Sequence, residues 1–151
     1  MLKLVRSVSE VNVSALMSVY SRELGDFRLE QRFYSDLMEF FHAENAFYAL
    51  WEESGTYCAA LRVEPFADGL LVAGLETHPA MRNKGYATKL LGNIVAMTKE
   101  KLYSHVARSN AASLKVHMRC GFSVIKDYAR YLDGSVSHSA VTLCIEKNAD
   151  T

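Results

Sequence analysis

Near residue 46 the spacing of apolar residues changes from a helical to a strand-like pattern, and it keeps that pattern through three short segments in a row. The segments "AFYALWEE", "TYCAALRVE" and "GLLVAGLET" are separated only by Ser54-Gly55 and by Asp68-Gly69, residue pairs that suit tight hairpin turns. The centre of the chain is therefore expected to be a run of consecutive strands joined by hairpins. The third of them is expected to be buried on both faces.

Helical patterns flank this run. Leu2 to Val5 alternates and reads as a short edge strand, after which Val13, Leu16, Met17, Tyr20 and Leu24 recur at three- and four-residue steps, with Gly25 placed to end the helix. A second helix is expected from about Leu29 to His42, where Leu29, Phe33, Leu37 and Phe40 form a stripe with Tyr34, Met38 and Phe41 beside it. Beyond the strands, Ala87, Leu91, Ile94, Val95 and Thr98 fit a helix from Lys84 to about Glu100, and "LYSHVA" follows as another strand. Ser109 and Asn110 open a last helix with Leu114 and Met118 on its apolar side, stopped by Gly121. "FSVIKDYARYL" and "VSHSAVTLCIEK" then close the chain as a strand pair turning near Asp133-Gly134.

At 151 residues, with neither a repeat nor a Pro-rich linker, residues 1–151 are expected to form one domain. Lys plus Arg and Asp plus Glu each count 17, so no net charge draws the chain toward nucleic acid or an anionic membrane, and any anion must be bound locally. The start, "MLKLVRSVSE", carries charges at Lys3 and Arg6 and reads as neither a secretion signal nor a membrane span, which makes the cytoplasm the expected location. Cys58, Cys120 and Cys144 are odd in number and widely spaced, which favours buried thiols over disulfides or a zinc site. No metal is expected.

A local anion site is visible in "RNKGYAT", residues 82 to 88, between the strand ending near Thr77 and the next helix. A helix start exposes unpaired N–H groups and the positive end of the dipole. Gly85 and Ala87 would let an anion approach the amides, and Arg82 and Lys84 add charge. A capped surface helix with basic residues is the competing reading. The spacing fits neither a Walker loop nor the three-glycine dinucleotide pattern.

Arg82-x-x-Gly85-x-Ala87, preceded by Thr77-His78-Pro79 and followed by an amphipathic helix, resembles the acetyl-CoA motif of the GNAT superfamily of N-acetyltransferases. "SNAASLKVHMRCGF", residues 109 to 122, is similar to that family's next helix at Asn110, Ser113, Gly121 and Phe122. The two elements stand in the right order with one helix and one strand between them. The resemblance covers about residues 70 to 131 and implies an α/β (α+β) fold: a mixed, mostly antiparallel twisted sheet of about seven strands, flanked by four helices and splayed at the cofactor cleft. It implies acetyl-CoA (coenzyme A) as cosubstrate, its pantetheine arm along Leu75, Glu76 and Thr77. Its diphosphate would lie on the amides of Asn83, Lys84, Gly85, Tyr86, Ala87 and Thr88 beside Arg82, with Ser113 and His117 also near the cofactor. Asn110 is either a further contact or a plain helix cap.

Acetyl transfer to an amine needs a neutral nucleophile. A lysine-like amine, with a pKa of about 10.4, is neutral in roughly one molecule in 2,500 at pH 7, which adds about 4.6 kcal/mol to the barrier. A thiol ionises near pH 8.5, so the leaving group needs less help. His117 stands where many members of the family carry the tyrosine that protonates the thiolate, and it is either that proton donor or a packing residue. Two residues are candidates for the base. Glu76 is the only charge within "LLVAGLET", and His105 lies five residues before Asn110, where related N-terminal acetyltransferases carry a glutamate. His78 belongs to the Thr-His-Pro turn and reads as structural, while the oxyanion donor would be a backbone N–H near residues 75 to 77.

The acceptor is expected to be the primary amine of a small molecule or a peptide. Phe27, Phe33, Tyr34, Phe40, Phe41, Tyr128 and Tyr131 either line its pocket or form core, and Glu30, Asp36, Glu39 and Glu44 either attract a cationic amine or face solvent. An acyl-CoA-binding regulatory domain without transferase activity is the alternative. The resemblance also admits a homodimer, which nothing in the chain decides.

Overall fold

The computed structural model describes residues 1–20 and 26–147. Strand β1 (Leu2–Val5) is followed by helix α1 (Val13–Val19) and helix α2 (Phe27–His42). Both helices start on side-chain caps: Asn12 accepts from the Ala15 N–H at 3.1 Å, and Asp26 accepts from Arg28 and Leu29 at 3.0 and 3.3 Å. Leu24 and Gly25, expected to finish the first helix, lie outside the described residues.

Strands β2 (Phe47–Glu53), β3 (Thr56–Phe66) and β4 (Gly69–Thr77) form the expected antiparallel meander. Ser54 and Gly55 make the first turn with φ of 50° and 81°, the left-handed pair that a two-residue hairpin of this type requires. The second turn is one residue earlier than the sequence suggested. Phe66 pairs with Gly69, leaving Ala67 and Asp68 as the turn, and Ala67 takes the positive φ. Gly69 is needed for another reason: a Cβ there would collide with the carbonyl of Lys101, which accepts the Leu70 N–H at 2.9 Å.

The chain continues through α3 (Tyr86–Met97), β5 (Leu102–Ala107), α4 (Ala111–Arg119), β6 (Ser123–Lys126), β7 (Ala129–Arg130), β8 (Val136–Ser137) and β9 (Ala140–Ile145). The expected closing strand pair is broken into two ladders. Asp133 and Gly134 do turn a short β7–β8 pair, but β9 inserts between β5 and β6, giving a seven-stranded order β1-β2-β3-β4-β5-β9-β6. Only β4 and β5 pair parallel; the other neighbours in the sheet are antiparallel.

Side chains alternate into two cores. Phe47 and Ala49 of β2 join Leu90, Leu91 and Ile94 of α3 on one face, while Tyr48 and Leu50 join Leu16 and Leu37 of α1 and α2 on the other. Burial on both faces explains why β2 reads as a continuous apolar run. On α2, Phe33, Phe40 and Phe41 pack against the second core, so three of the helix's five aromatic residues belong to it. Phe27 and Tyr34 are exposed beside a groove between α1 and α2. On α4 the buried residue is His117, with Leu114 half-buried; Met118, expected on the apolar side, is 49% exposed. β4 also departs from expectation: only Leu71 and Val72 are buried, because its C-terminal half borders an opening in the sheet. Cys58 and Cys144 are buried, Cys120 is half-buried, and all three are free thiols.

Candidate active site

The opening begins where a bulge meets the parallel ladder. On one side of β4, Ala60 faces Glu76 and Arg62 faces Ala73, so Gly74 and Leu75 together oppose the single residue Leu61. Gly74 takes φ of 62°, and its carbonyl accepts a 2.6 Å hydrogen bond from the Tyr20 hydroxyl. Burial raises the Tyr20 pKa far above the usual phenol value, so the hydroxyl stays a donor. On the other side, β4 pairs with β5 only at Leu70–Leu102, Leu71–Tyr103 and Val72–Ser104. Past that rung β5 stays bonded to β9 as far as Ala107, and the two central strands part.

The wide end of this split is bounded by the start of α3. His78 caps a short 3-10 turn at Pro79–Met81, its Nδ1 accepting from the Ala80 N–H at 3.0 Å, which bears out its structural reading. Asn83 and Gly85 then take φ of 63° and 80°, a left-handed pair flanking Lys84 and leading into the helix. Successive backbone N–H groups at such a start form an anion-binding concavity. A Cβ on Gly85 would meet no protein atom within 4 Å, so the space over this backbone is open.

A cavity of about 540 Å³ runs from this turn to α4. Of the thirteen residues expected to hold the cofactor, Leu75, Glu76, Thr77, Arg82, Asn83 and Gly85 line it from the β4 side, joined by Tyr86, Ala87, Thr88, Asn110 and Ser113. Lys84 is not among its walls; its Nζ lies 4.0 Å from the Met81 sulfur instead. His117 lines a second chamber of about 140 Å³ at the point of the split, which shares Leu75, Asn110 and Ser113 with the larger one. Lys115 and Arg119, which the sequence reading missed, are four residues apart on α4 and add two cations to the larger cavity. With Arg82 they outnumber its one carboxylate, Glu76. A group carrying phosphates fits this lining.

Asn110 caps α4, its Oδ1 accepting from the Ser113 N–H at 3.1 Å, while it also borders both chambers. Its capping role is real and leaves the amide nitrogen for a ligand. Phe122, the expected partner of Gly121, is buried with its ring centre 5.1 Å from that of His117, edge to face.

His117 is 1% exposed. Its Nδ1 lies 2.7 Å from the Ser113 carbonyl oxygen, and its Nε2 lies 2.8 Å from Ser104 Oγ. A carbonyl oxygen only accepts, so Nδ1 carries the hydrogen. Burial pushes the pKa of the imidazole down and favours the neutral ring, whose Nε2 then accepts from the Ser104 hydroxyl. His105 shares the small chamber with His117, its ring edge-on to Phe66 at 5.4 Å and to Tyr131 at 5.2 Å. Burial lowers its pKa as well, leaving a neutral imidazole able to accept a proton near neutral pH. Glu76 is exposed and borders the larger chamber, and its carboxylate has no hydrogen bond or ion pair among the described residues. Ser104 was also missed, although a hydroxyl between Leu102 and Val106 on the inward face of β5 is the kind of break in pattern that marks such a residue.

The family model for the Acetyltransferase (GNAT) family matches residues 13–122. The chain belongs to that family. As a GNAT acetyltransferase it uses acetyl-CoA as cosubstrate, and the cavity described above has the backbone, cations and openness to take that molecule. None of the curated proteins matches its sequence. Solved structures share its fold. The ribosomal-protein-S18-alanine N-acetyltransferase from Escherichia coli is 18% identical with a TM-score of 0.69, covering 99% of this chain and 96% of its own. The N-acetyltransferase PseH from Campylobacter jejuni, solved in complex with acetyl coenzyme A, is 16% identical with a TM-score of 0.69, covering 98% and 100%. A spermidine N-acetyltransferase chimera from Vibrio cholerae and hSSAT is 12% identical with a TM-score of 0.70, covering 96% and 94%.

Proposed function

We propose that this GNAT protein transfers the acetyl group of acetyl-CoA directly to the primary amine of a small molecule or a peptide, with no covalent enzyme intermediate. The observation that carries this reading is the polarity of the split. Its wide end is a cationic helix start suited to phosphates, and its narrow end holds two neutral imidazoles suited to moving protons.

The bound thioester supplies an activated acyl group. The amides of residues 83 to 88, Arg82 and the Thr88 hydroxyl bind the diphosphate, and the inner edge of residues 75 to 77, unpaired beyond Val72, holds the extended arm. His105 or Glu76 removes the proton that keeps a lysine-like amine unreactive, a task worth about 4.6 kcal/mol at pH 7. The proton needed by the departing sulfur comes from the His117 end of the small chamber. The names of two fold relatives, which specify ribosomal-protein-S18 alanine and spermidine, support an amine acceptor.

Titration calorimetry with coenzyme A, followed by acetyl-CoA consumption over a panel of peptides, polyamines and amino acids, tests the proposal. Heat on titration and turnover with at least one amine are expected. Cofactor binding without turnover on any amine would convert the reading to a regulatory binding domain, and no binding at all would remove the cofactor site.

A further inference from the structure

We infer that Ser104 is a catalytic residue: its hydroxyl, rather than the His117 ring, is the group presented to the leaving sulfur, and the two side chains act as a pair that takes up and returns one proton. This rests on the transfer reading above. The placement comes from the sheet. Val72–Ser104 is the last rung of the parallel ladder, so Ser104 sits at the point of the split. It lines the small chamber with Leu75, His105, Asn110, Ser113 and His117, and is itself 2% exposed.

Hydrogen bonding fixes the direction of the pair. The Nδ1–H of His117 is spent on the Ser113 carbonyl, so the neutral ring has only a lone pair at Nε2, and that lone pair accepts from Ser104 Oγ. His117 in this tautomer has no proton at Nε2 to give. Ser104 does have one, and a base behind it. A serine hydroxyl, a histidine accepting from it and a third group orienting the ring at Nδ1 make up the arrangement that activates a hydroxyl for proton transfer.

The protons balance without another reactant. An amine that arrives as an ammonium ion loses its first proton to Glu76 or His105. As its nitrogen bonds to the acetyl carbon and the carbon–sulfur bond breaks with its electron pair on sulfur, a second proton must leave nitrogen and one must reach sulfur. Ser104 Oγ receives the nitrogen's proton while passing its own to His117 Nε2; the Ser113 carbonyl holds the Nδ1–H throughout. Nε2 then returns the proton to Oγ, which delivers one to sulfur. The pair ends as it began.

The first test needs no ligand. Two-bond 1H–15N spectra of the histidine-labelled free protein near pH 7 are expected to show His117 as a single neutral ring protonated at Nδ1, and Ser104→Ala should move only the Nε2 shift, toward a lone pair without a donor. Loss of the hydroxyl is expected to lower kcat about 100-fold, the lower end of what positioned proton transfer contributes, with coenzyme A affinity within about twofold. Ser104→Thr keeps a hydroxyl and should recover most of the rate. A proton inventory in mixed light and heavy water should curve for the wild type and straighten for Ser104→Ala. A ring protonated at Nε2, or wild-type turnover by Ser104→Ala, would overturn the proposal. Wild-type protein that binds coenzyme A but acetylates no amine would overturn the transfer reading and this role together, while the tautomer is still read from the spectra.

Discussion

Replacing Gly85 by alanine separates the strain of an unusual backbone from the loss of a ligand cradle, because both effects fall on one atom. Gly85 sits at φ 80°, where an L-residue costs about 1–2 kcal/mol, offset by about 0.4–1 kcal/mol from a stiffer unfolded chain. The net loss of stability should be roughly 0.5–1 kcal/mol, or about 1–4 °C in Tm for a chain of this size. The new methyl would meet no protein atom within 4 Å and would stand in the cavity that Gly85 lines. If phosphate oxygens rest on these amides, each charge-assisted hydrogen bond displaced is worth about 1.5–3 kcal/mol, a weakening of roughly 10- to 150-fold in Kd.

Gly134 supplies the control. It has φ of 87°, nothing within 4 Å of its Cβ position, and lies in the β7–β8 turn rather than in the cavity wall. Scanning calorimetry should find similar Tm losses in Gly85→Ala and Gly134→Ala, while titration with coenzyme A should find weaker binding only in the first. Equal affinities in the two variants would refute the cradle and leave Gly85 as a strained helix cap.

The other expected outcomes concern the bulge, the base and pH. Tyr20→Phe removes the 2.6 Å bond to the Gly74 carbonyl, and should cost about 1 kcal/mol in urea unfolding and lower kcat/KM; unchanged kinetics would mean that the backbone alone holds the bulge. Glu76→Gln and His105→Gln, assayed with a lysine-like amine, should differ, with a rate loss of about 100-fold or more marking the base and a smaller loss when the acceptor is an α-amine. Stability should fall as pH drops below about 6.5, because His105 and His117 bind protons less readily folded than unfolded and the unfolded state gains on acidification. The loss in urea midpoint between pH 7 and 5.5 should shrink in His105→Gln; an identical loss would show that this ring does not contribute.

Features carried by contiguous residues were legible in the sequence. The limits of β4 and β5, the turn at Ser54-Gly55 and the opening of a helix at Asn110 all depend on local backbone chemistry, and each was found where the residues placed it. Features made by distant partners were not. Nothing local links Ser104 to His117, thirteen residues apart, or Tyr20 to Gly74, 54 residues apart. The same limit explains Met118 and His117: periodicity counts a histidine as polar, yet a histidine whose two nitrogens are both satisfied can be buried in place of a methionine. The insertion of β9 between β5 and β6 is a matter of sheet order, which side-chain alternation does not encode.

The cleft follows from a conflict that the sheet does not resolve. β4 is held on its outer side by β3 up to Thr77, and β5 is held on its outer side by β9 up to Ala107, so neither strand is free to move across and close the gap. Between them, the backbone past Val72 and Ser104 keeps donors and acceptors that no neighbouring strand satisfies, in the middle of a sheet where such groups are normally paired. An extended arm bearing amides can take those bonds without moving either strand, which is the role proposed for pantetheine. The two-residue bulge at Gly74–Leu75 redirects β4 where the ladder stops, and Tyr20 pins its carbonyl. Filling the gap with strand-pairing residues would have stabilised the sheet and closed the chamber that the buried Ser104–His117 pair lines.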